Sequence, residues 1–174
     1  MRTILVVFAA AILAGCPPAP EPTNPGGPAV CPDGPRNPTA AVDRKLAVVG
    51  QSVNSMRRAG DFLFIVESGD NTISRFDART ETLEPWVDVG NERGPWDRWV
   101  DVDELWITNY VSNTVTVASR ATGGVIAEIE HESFDGPSGI AILDGRAYVG
   151  NTQYREDGFG PGSVTVIDQE TRQV

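Results

Sequence analysis

Histidine is nearly missing: the 174 residues hold one, His131, against 24 acids and 14 bases. A His-dependent triad or a multi-His metal centre has almost nothing to draw on. Basic charge is the scarce sign, and the formal net charge is −10. That excludes nucleic acid as a default partner, because phosphate binding needs a basic face. It equally excludes a polybasic membrane patch. There is no Gly-x-Ser-x-Gly elbow, no phosphate loop, no Cys-x-x-Cys and no His-Glu-x-x-His. Amphipathic helical periodicity is absent beyond residue 45. What is present, 40% hydrophobic and 22% charged residues, excludes wholesale disorder and suits one ordinary domain.

The N-terminus reads as an address. Arg2 is a short positive start, followed by an apolar run over residues 4–13. Ten residues are too few to span a bilayer as a helix. Small residues Ala14 and Gly15 and then Cys16 follow, which is secretory in form. Leu13-Ala14-Gly15-Cys16 resembles the bacterial lipobox. The resemblance implies that residues 1–15 are a signal peptide and that Cys16 is lipidated as the mature N-terminus. A lipid on Cys16 makes the membrane a partner. Pro17, standing where an Asp would retain such proteins at the inner membrane, implies the outer membrane of the cell envelope. Removing residues 1–15 takes away one base and no acid, leaving 13 bases against 24 acids, or −11. Cys31 then has no cysteine partner in the chain, and is either a free thiol or paired elsewhere.

Residues 16–41 form a tether after the signal. Nine of the 13 prolines fall here, from Pro17 to Pro38, with almost no large apolar side chain. Proline removes backbone donors and favours extended polyproline structure, so the stretch is expected to be a semi-rigid spacer. Its 25 residues after Cys16 reach roughly 75 Å at ~3.1 Å each.

Residues 42–174 repeat themselves at a shift of 42. Phe64-Ile65-Val66-Glu67 falls on Trp106-Ile107-Thr108-Asn109, and that falls on Tyr148-Val149-Gly150-Asn151. Asn71-Thr72-Ile73 falls on Asn113-Thr114-Val115, and Gly94-Pro95 on Gly136-Pro137. The register breaks after Thr152 and resumes at a shift of 49, so the third copy carries seven extra residues within 153–162. Each copy reads as short strands: 105–108, 114–118 and 125–129 in the second, 140–143 and 146–150 in the third. Asp144-Gly145 between two β-rich runs signals a hairpin. Val115 and Val117, and Val164 and Val166, alternate with polar Thr116 and Thr165. Four strands in ~42 residues is the size of a propeller blade.

Residues 106–117, Trp-Ile-Thr-Asn-Tyr-Val-Ser-Asn-Thr-Val-Thr-Val, resemble the YVTN-type propeller repeat, and Gly136-Pro137-Ser138-Gly139-Ile140-Ala141 resembles the start of a blade in such proteins. The resemblance covers about residues 46–174 and implies an all-β fold of about three four-stranded blades in an incomplete ring. Propellers close with four to eight blades, and an open arc exposes strand edges. The chain is therefore expected to be a fragment, a truncated product or one member of an oligomeric ring. Residues 46–49 sit where the outer strand of a preceding blade would fall.

Three groups of residues are candidates for a site. Glu67, Asn109 and Asn151 share one repeat position, and equivalent positions converge if blades surround an axis. An acid and two amides suit Ca²⁺, which takes oxygen ligands. Propeller lactonases of the gluconolactonase type use a similar set around a metal. Asn at this position also belongs to the motif itself and is a good turn residue. The inserted segment offers Tyr154, Arg155 and Phe159, residue types common as recognition anchors, although loops also simply tolerate insertions. Trp96 and Trp99 follow Gly94-Pro95 and either line a central pocket that stacks a ring or sugar, or pack between blades. His131, flanked by Glu130 and Glu132, reads as a solvated loop residue. Two functions follow. One is a non-catalytic lipid-anchored protein whose propeller surface binds a protein or small ligand. The other is a Ca-dependent lactonase or related hydrolase, resting on fold analogy alone.

Overall fold

The computed structural model describes residues 50–174. The signal segment, Cys16, the tether, Cys31 and residues 46–49 lie outside them. The described residues are all-β, with no helix. The first sheet holds β1 (Val53–Ala59), β2 (Phe62–Glu67), β3 (Thr72–Asp77) and β4 (Thr82–Asp88), antiparallel in chain order. The second repeats the pattern with β5 (Pro95–Val100), β6 (Glu104–Asn109), β7 (Thr114–Ser119) and β8 (Val125–Glu130). In the third copy β9 (Pro137–Leu143) and β10 (Arg146–Asn151) lead into an inserted mini-hairpin, β11 (Tyr154–Arg155) and β12 (Gly158–Phe159). The chain then returns as β13 (Ser163–Asp168), which pairs with β10. The starts of β2, β6 and β10 lie at 62, 104 and 146, so the 42-residue period sets the geometry. The seven extra residues form the mini-hairpin.

The turns are equally repetitive. Asp144 and Gly145 both take positive φ, 51° and 74°, as a two-residue type I′ hairpin requires. Asp77, Ser119 and Asp168 close the turns after β3, β7 and β13 by accepting backbone N–H groups two to three residues on. Those N–H bonds, chiefly from Arg79 and from Thr171, hold the Asp77 and Asp168 carboxyls below the ordinary aspartate value.

Each sheet buries little against itself; the core lies in two seams between neighbouring sheets. Phe64, Val66, Ile73, Val87 and Val89 of the first meet Leu105, Ile107 and Ala118 of the second. On the other side of the second sheet, Trp106, Val115, Val117 and Ile129 meet Phe134, Ile140, Ala147, Val149 and Ile167 of the third copy. The middle strands β6 and β7 are thus covered on both faces, and their burial does not alternate. In β13 the expected inward alternation reverses. Val164 and Val166 are 64% and 39% exposed, whereas Thr165 and Ile167 are buried. Val164 and Val166 stand on the face that, in β7, the third copy's side chains cover; among the described residues nothing covers it.

Candidate functional site

One end of the sheets is built by a repeated set of clamps. The turn after β2 donates from Ser68 and Gly69 to the carbonyls of Ser52 and Gln51. Tyr110 and Val111 do the same to Gly94 and Arg93, and Thr152 and Gln153 to Gly136 and Asp135. A second latch crosses between sheets. Asn71 Oδ1 accepts the N–H groups of Arg93 and Gly94 at 3.0 and 2.8 Å, and Asn113 Oδ1 accepts that of Gly136 at 2.8 Å. Both asparagines hold positive φ, 58° and 56°, which Asn tolerates better than bulkier residues. Each connecting segment is therefore held by its own blade and by the one before. The repeat thus encodes a rigid face made of connections and of the turns after β2, β6 and β10.

Glu67, Asn109 and Asn151 end their strands beneath this face, and all three are buried. Each clasps two hydroxyls within its own sheet. Asn109 Nδ2 donates to Thr114 Oγ1 at 2.9 Å and Thr116 Oγ1 at 2.7 Å. Asn151 Nδ2 donates to Ser163 Oγ at 3.2 Å and Thr165 Oγ1 at 3.0 Å. Glu67 inverts the polarity: its Oε2 accepts from Thr72 at 3.0 Å and from Ser74 at 2.8 Å. No hydrogen bond links the three. Glu67 Oε1 and Asn109 Oδ1 have no partner, whereas Asn151 Oδ1 accepts the Asp135 N–H. Among the described residues no three His, Cys, Asp or Glu side chains gather as a metal-binding group. The asparagine amides spend their N–H groups on hydroxyls of their own sheets, which ties neighbouring strands together.

The inserted hairpin lies on the clamp face. Tyr154 and Phe159 pair across it in a T-shaped contact, ring centroids 5.3 Å apart, while remaining 56% and 74% exposed. Arg155 forks onto the Asp135 carboxylate of the connection into β9, with Nη1 at 2.9 Å from Oδ1 and Nη2 on Oδ2. The Arg155 guanidinium holds the Asp135 carboxyl below the ordinary aspartate value, and Asp135 in turn raises Arg155. Tyr110 sits close by. A Cβ on Gly136 would lie 2.9 Å from its ring, and the ring itself packs at a 36° tilt against Trp96, centroids 5.1 Å apart. Tyr110 thus neighbours both Gly136, in the connection that holds the hairpin, and Trp96 of β5. Tyr110 and Asp135 were not singled out in the sequence. Asp135 lies 20 residues from Arg155, a separation with no local signature.

The clasp carries a pH prediction. Because the folded Asp135 value is depressed, the ion pair is intact above the ordinary aspartate range and is lost as pH falls through the lower folded value. Asp135→Asn should raise the amide exchange of residues 153–160 at neutral pH, with no change in the unfolding midpoint of the three sheets. Unaltered exchange in the hairpin would mean that the pair orders nothing.

The remaining aromatic and basic residues divide by burial. Trp99 packs against the seam between the second and third copies, with the Arg57 guanidinium 4.5 Å from its ring centre. Trp96 is 45% exposed. His131 is exposed and meets Ser133. Arg98 was also overlooked in the sequence. It is 1% exposed and occupies the repeat position that holds Ile140 in the third copy. Burial pushes its guanidinium down to about 10, against the opposing pull of Asp97. The signal was available as a charged residue in an otherwise apolar repeat column.

With this geometry in hand, comparison with solved structures is decisive for the fold. Kuenenia stuttgartiensis hydrazine synthase superposes with a TM-score of 0.61 at 25% identity, covering 77% of this chain and 37% of that one. Virginiamycin B lyase from Staphylococcus aureus gives 0.52 at 14%, covering 67% and 41%. A luciferin-regenerating enzyme gives 0.52 at 15%, covering 66% and 44%. The fold is a β-propeller. The three sheets are its blades, β1, β5 and β9 their first strands, and the clamp face carries the blade-to-blade connections. The chain spans less than half the length of these propeller proteins. No protein-family model matches the chain, and no curated protein matches it.

Proposed function

We propose that this chain is a lipid-anchored protein of the bacterial cell envelope, held at the outer membrane through Cys16, whose propeller face recognises a protein or small ligand without catalysing a reaction. The observation that carries the recognition reading is the hairpin. Two large aromatic rings stand exposed, yet a forked ion pair to the neighbouring connection fixes their base. Exposed aromatics on an ordered support lose little entropy on binding, which is how anchor residues contribute affinity. The anchoring reading rests on the lipobox-like segment ending at Cys16 and the proline-rich tether after it. No helix among the described residues is long and apolar enough to cross a membrane.

The alternative, a Ca-dependent hydrolase, draws support from the buried, unpartnered Glu67 Oε1 and Asn109 Oδ1, two oxygens of the kind calcium takes. Several propeller neighbours are enzymes. Against it, Asn151 Oδ1 already accepts the Asp135 N–H, and no hydrogen bond joins the three side chains.

Site-specific cross-linking tests the recognition reading. A photoreactive phenylalanine analogue at position 159, irradiated in intact cells, should give one discrete adduct. The same analogue at exposed position 170, beside the turn after β13, should give none. Adducts of equal yield at both positions, or none at 159, would sink it.

A further inference from the structure

A second surface, separate from the hairpin, runs along the first strands of the three blades. We infer that it is a binding groove for a neutral sugar ring. The 42-residue period brings Asn54, Trp96 and Ser138 into one column and Ser55, Asp97 and Gly139 into the next. Together these five side chains and the Gly139 backbone line a groove of about 260 Å³. That is below the ~300 Å³ at which pockets for drug-sized ligands begin, and fits one ring rather than an extended ligand.

The chemistry of the lining selects the ligand. Trp96 offers a half-exposed ring that packs against Tyr110. Such a flat apolar face suits the C–H face of a sugar ring, while the rim must accept from its hydroxyls. Asn54 donates its amide N–H to Ser68 Oγ at 3.0 Å, which leaves its Oδ1 to accept. Asp97 uses Oδ1 for Ser55 and Arg98, which leaves Oδ2 to accept. The rim is therefore rich in acceptors.

Charge decides between a neutral ligand and a cation. An exposed Trp beside a carboxylate would ordinarily attract an ammonium group. Here the Arg98 guanidinium is buried directly on that carboxylate, Nη1 to Oδ1 at 3.1 Å. Arg57 lies near enough to oppose a second positive charge at Arg98. The Asp97 carboxylate is thus paired with Arg98 and offers a cation no free negative charge, while its Oδ2 stays open to accept. Arg98 stands where the third copy has Ile140, so a charge has been placed in the seam at this blade alone. Burying it costs stability that an apolar side chain would not. Polarising Asp97 gives that cost a purpose.

The test is a titration of intrinsic tryptophan fluorescence of the full chain with maltotriose, cellotriose and tri-N-acetylchitotriose, each taken to about 20 mM, well into the weak-binding range. At least one trisaccharide should give a saturable change. Trp96→Ala should abolish it. Gly139→Leu should weaken it at least about tenfold, or 1.4 kcal/mol, at an unchanged unfolding midpoint, because a Cβ at Gly139 meets nothing within 4 Å. Phe159→Ser should leave it intact, which separates the groove from the hairpin. The inference is overturned if the folded chain responds to none of the three. A response that survives both groove variants, or that disappears with Phe159→Ser, overturns it equally.

Discussion

Trp106→Ala should destabilise the protein by about 3–5 kcal/mol, against total stabilities of roughly 5–15 kcal/mol for ordinary domains. Trp106 is fully buried in the seam between the second and third blades. Its indole N–H donates to Glu104 Oε2 at 3.0 Å, so the substitution also leaves that oxygen without its donor, while Oε1 keeps Arg172 at 2.8 Å. The loss should be local before it is global. Blades contact only their neighbours, and the first seam, built from Phe64, Ile73, Leu105 and Ile107, does not use Trp106. Amide exchange should therefore rise first in β10 and β13. Trp96→Ala, at a half-exposed position, should cost less than about 1 kcal/mol. Urea unfolding of both variants checks the contrast; similar midpoints for the two would mean that the seams do not carry the stability assigned to them.

Cys16→Ser should move the protein out of the membrane fraction. An acyl chain contributes about 0.8 kcal/mol per buried methylene, and stable anchoring takes two such signals. Serine matches cysteine in size but cannot form the thioether that carries the lipid. Electrostatics offers no substitute, because the net charge is −10 and an anionic surface repels it. The wild type should stay with membranes through a high-salt wash, whereas the variant should appear in the soluble fraction or accumulate as a precursor that retains residues 1–15. Equal retention of the two by membranes, with residues 1–15 removed from both, would remove the anchor from this account.

How far the fold could be read from the sequence follows from the physics of repetition. The 42-residue period and the strand positions were legible because each is a local pattern copied at a fixed interval, and the Asp144-Gly145 turn because Asp-Gly between two β-rich runs is a local signal in itself. The inserted segment was legible as a break in register. What covers a strand was not. The Val-x-Val motif is the same in β7 and β13, yet Val115 is buried and Val164 exposed, because alternation reports which residues share a face and not what lies opposite. The site was legible in part. Tyr154, Arg155 and Phe159 stood out as recognition chemistry in an insertion. Asp135, which gives Arg155 its role, is a partner made by folding. Glu67, Asn109 and Asn151 were visible as one column, but the hydroxyls that occupy them lie five to fourteen residues on, across a turn.

That column also separates the two functions. Calcium titration of the full chain by calorimetry is the most direct measurement, with Glu67→Gln as the partner variant. If the chain is a recognition module whose Glu67, Asn109 and Asn151 clasp their own blades, Ca²⁺ up to about 1 mM, the weak end of extracellular calcium sites, should give no saturable heat. A stoichiometric site in the wild type that is lost in Glu67→Gln would contradict the account and favour the metal-dependent hydrolase.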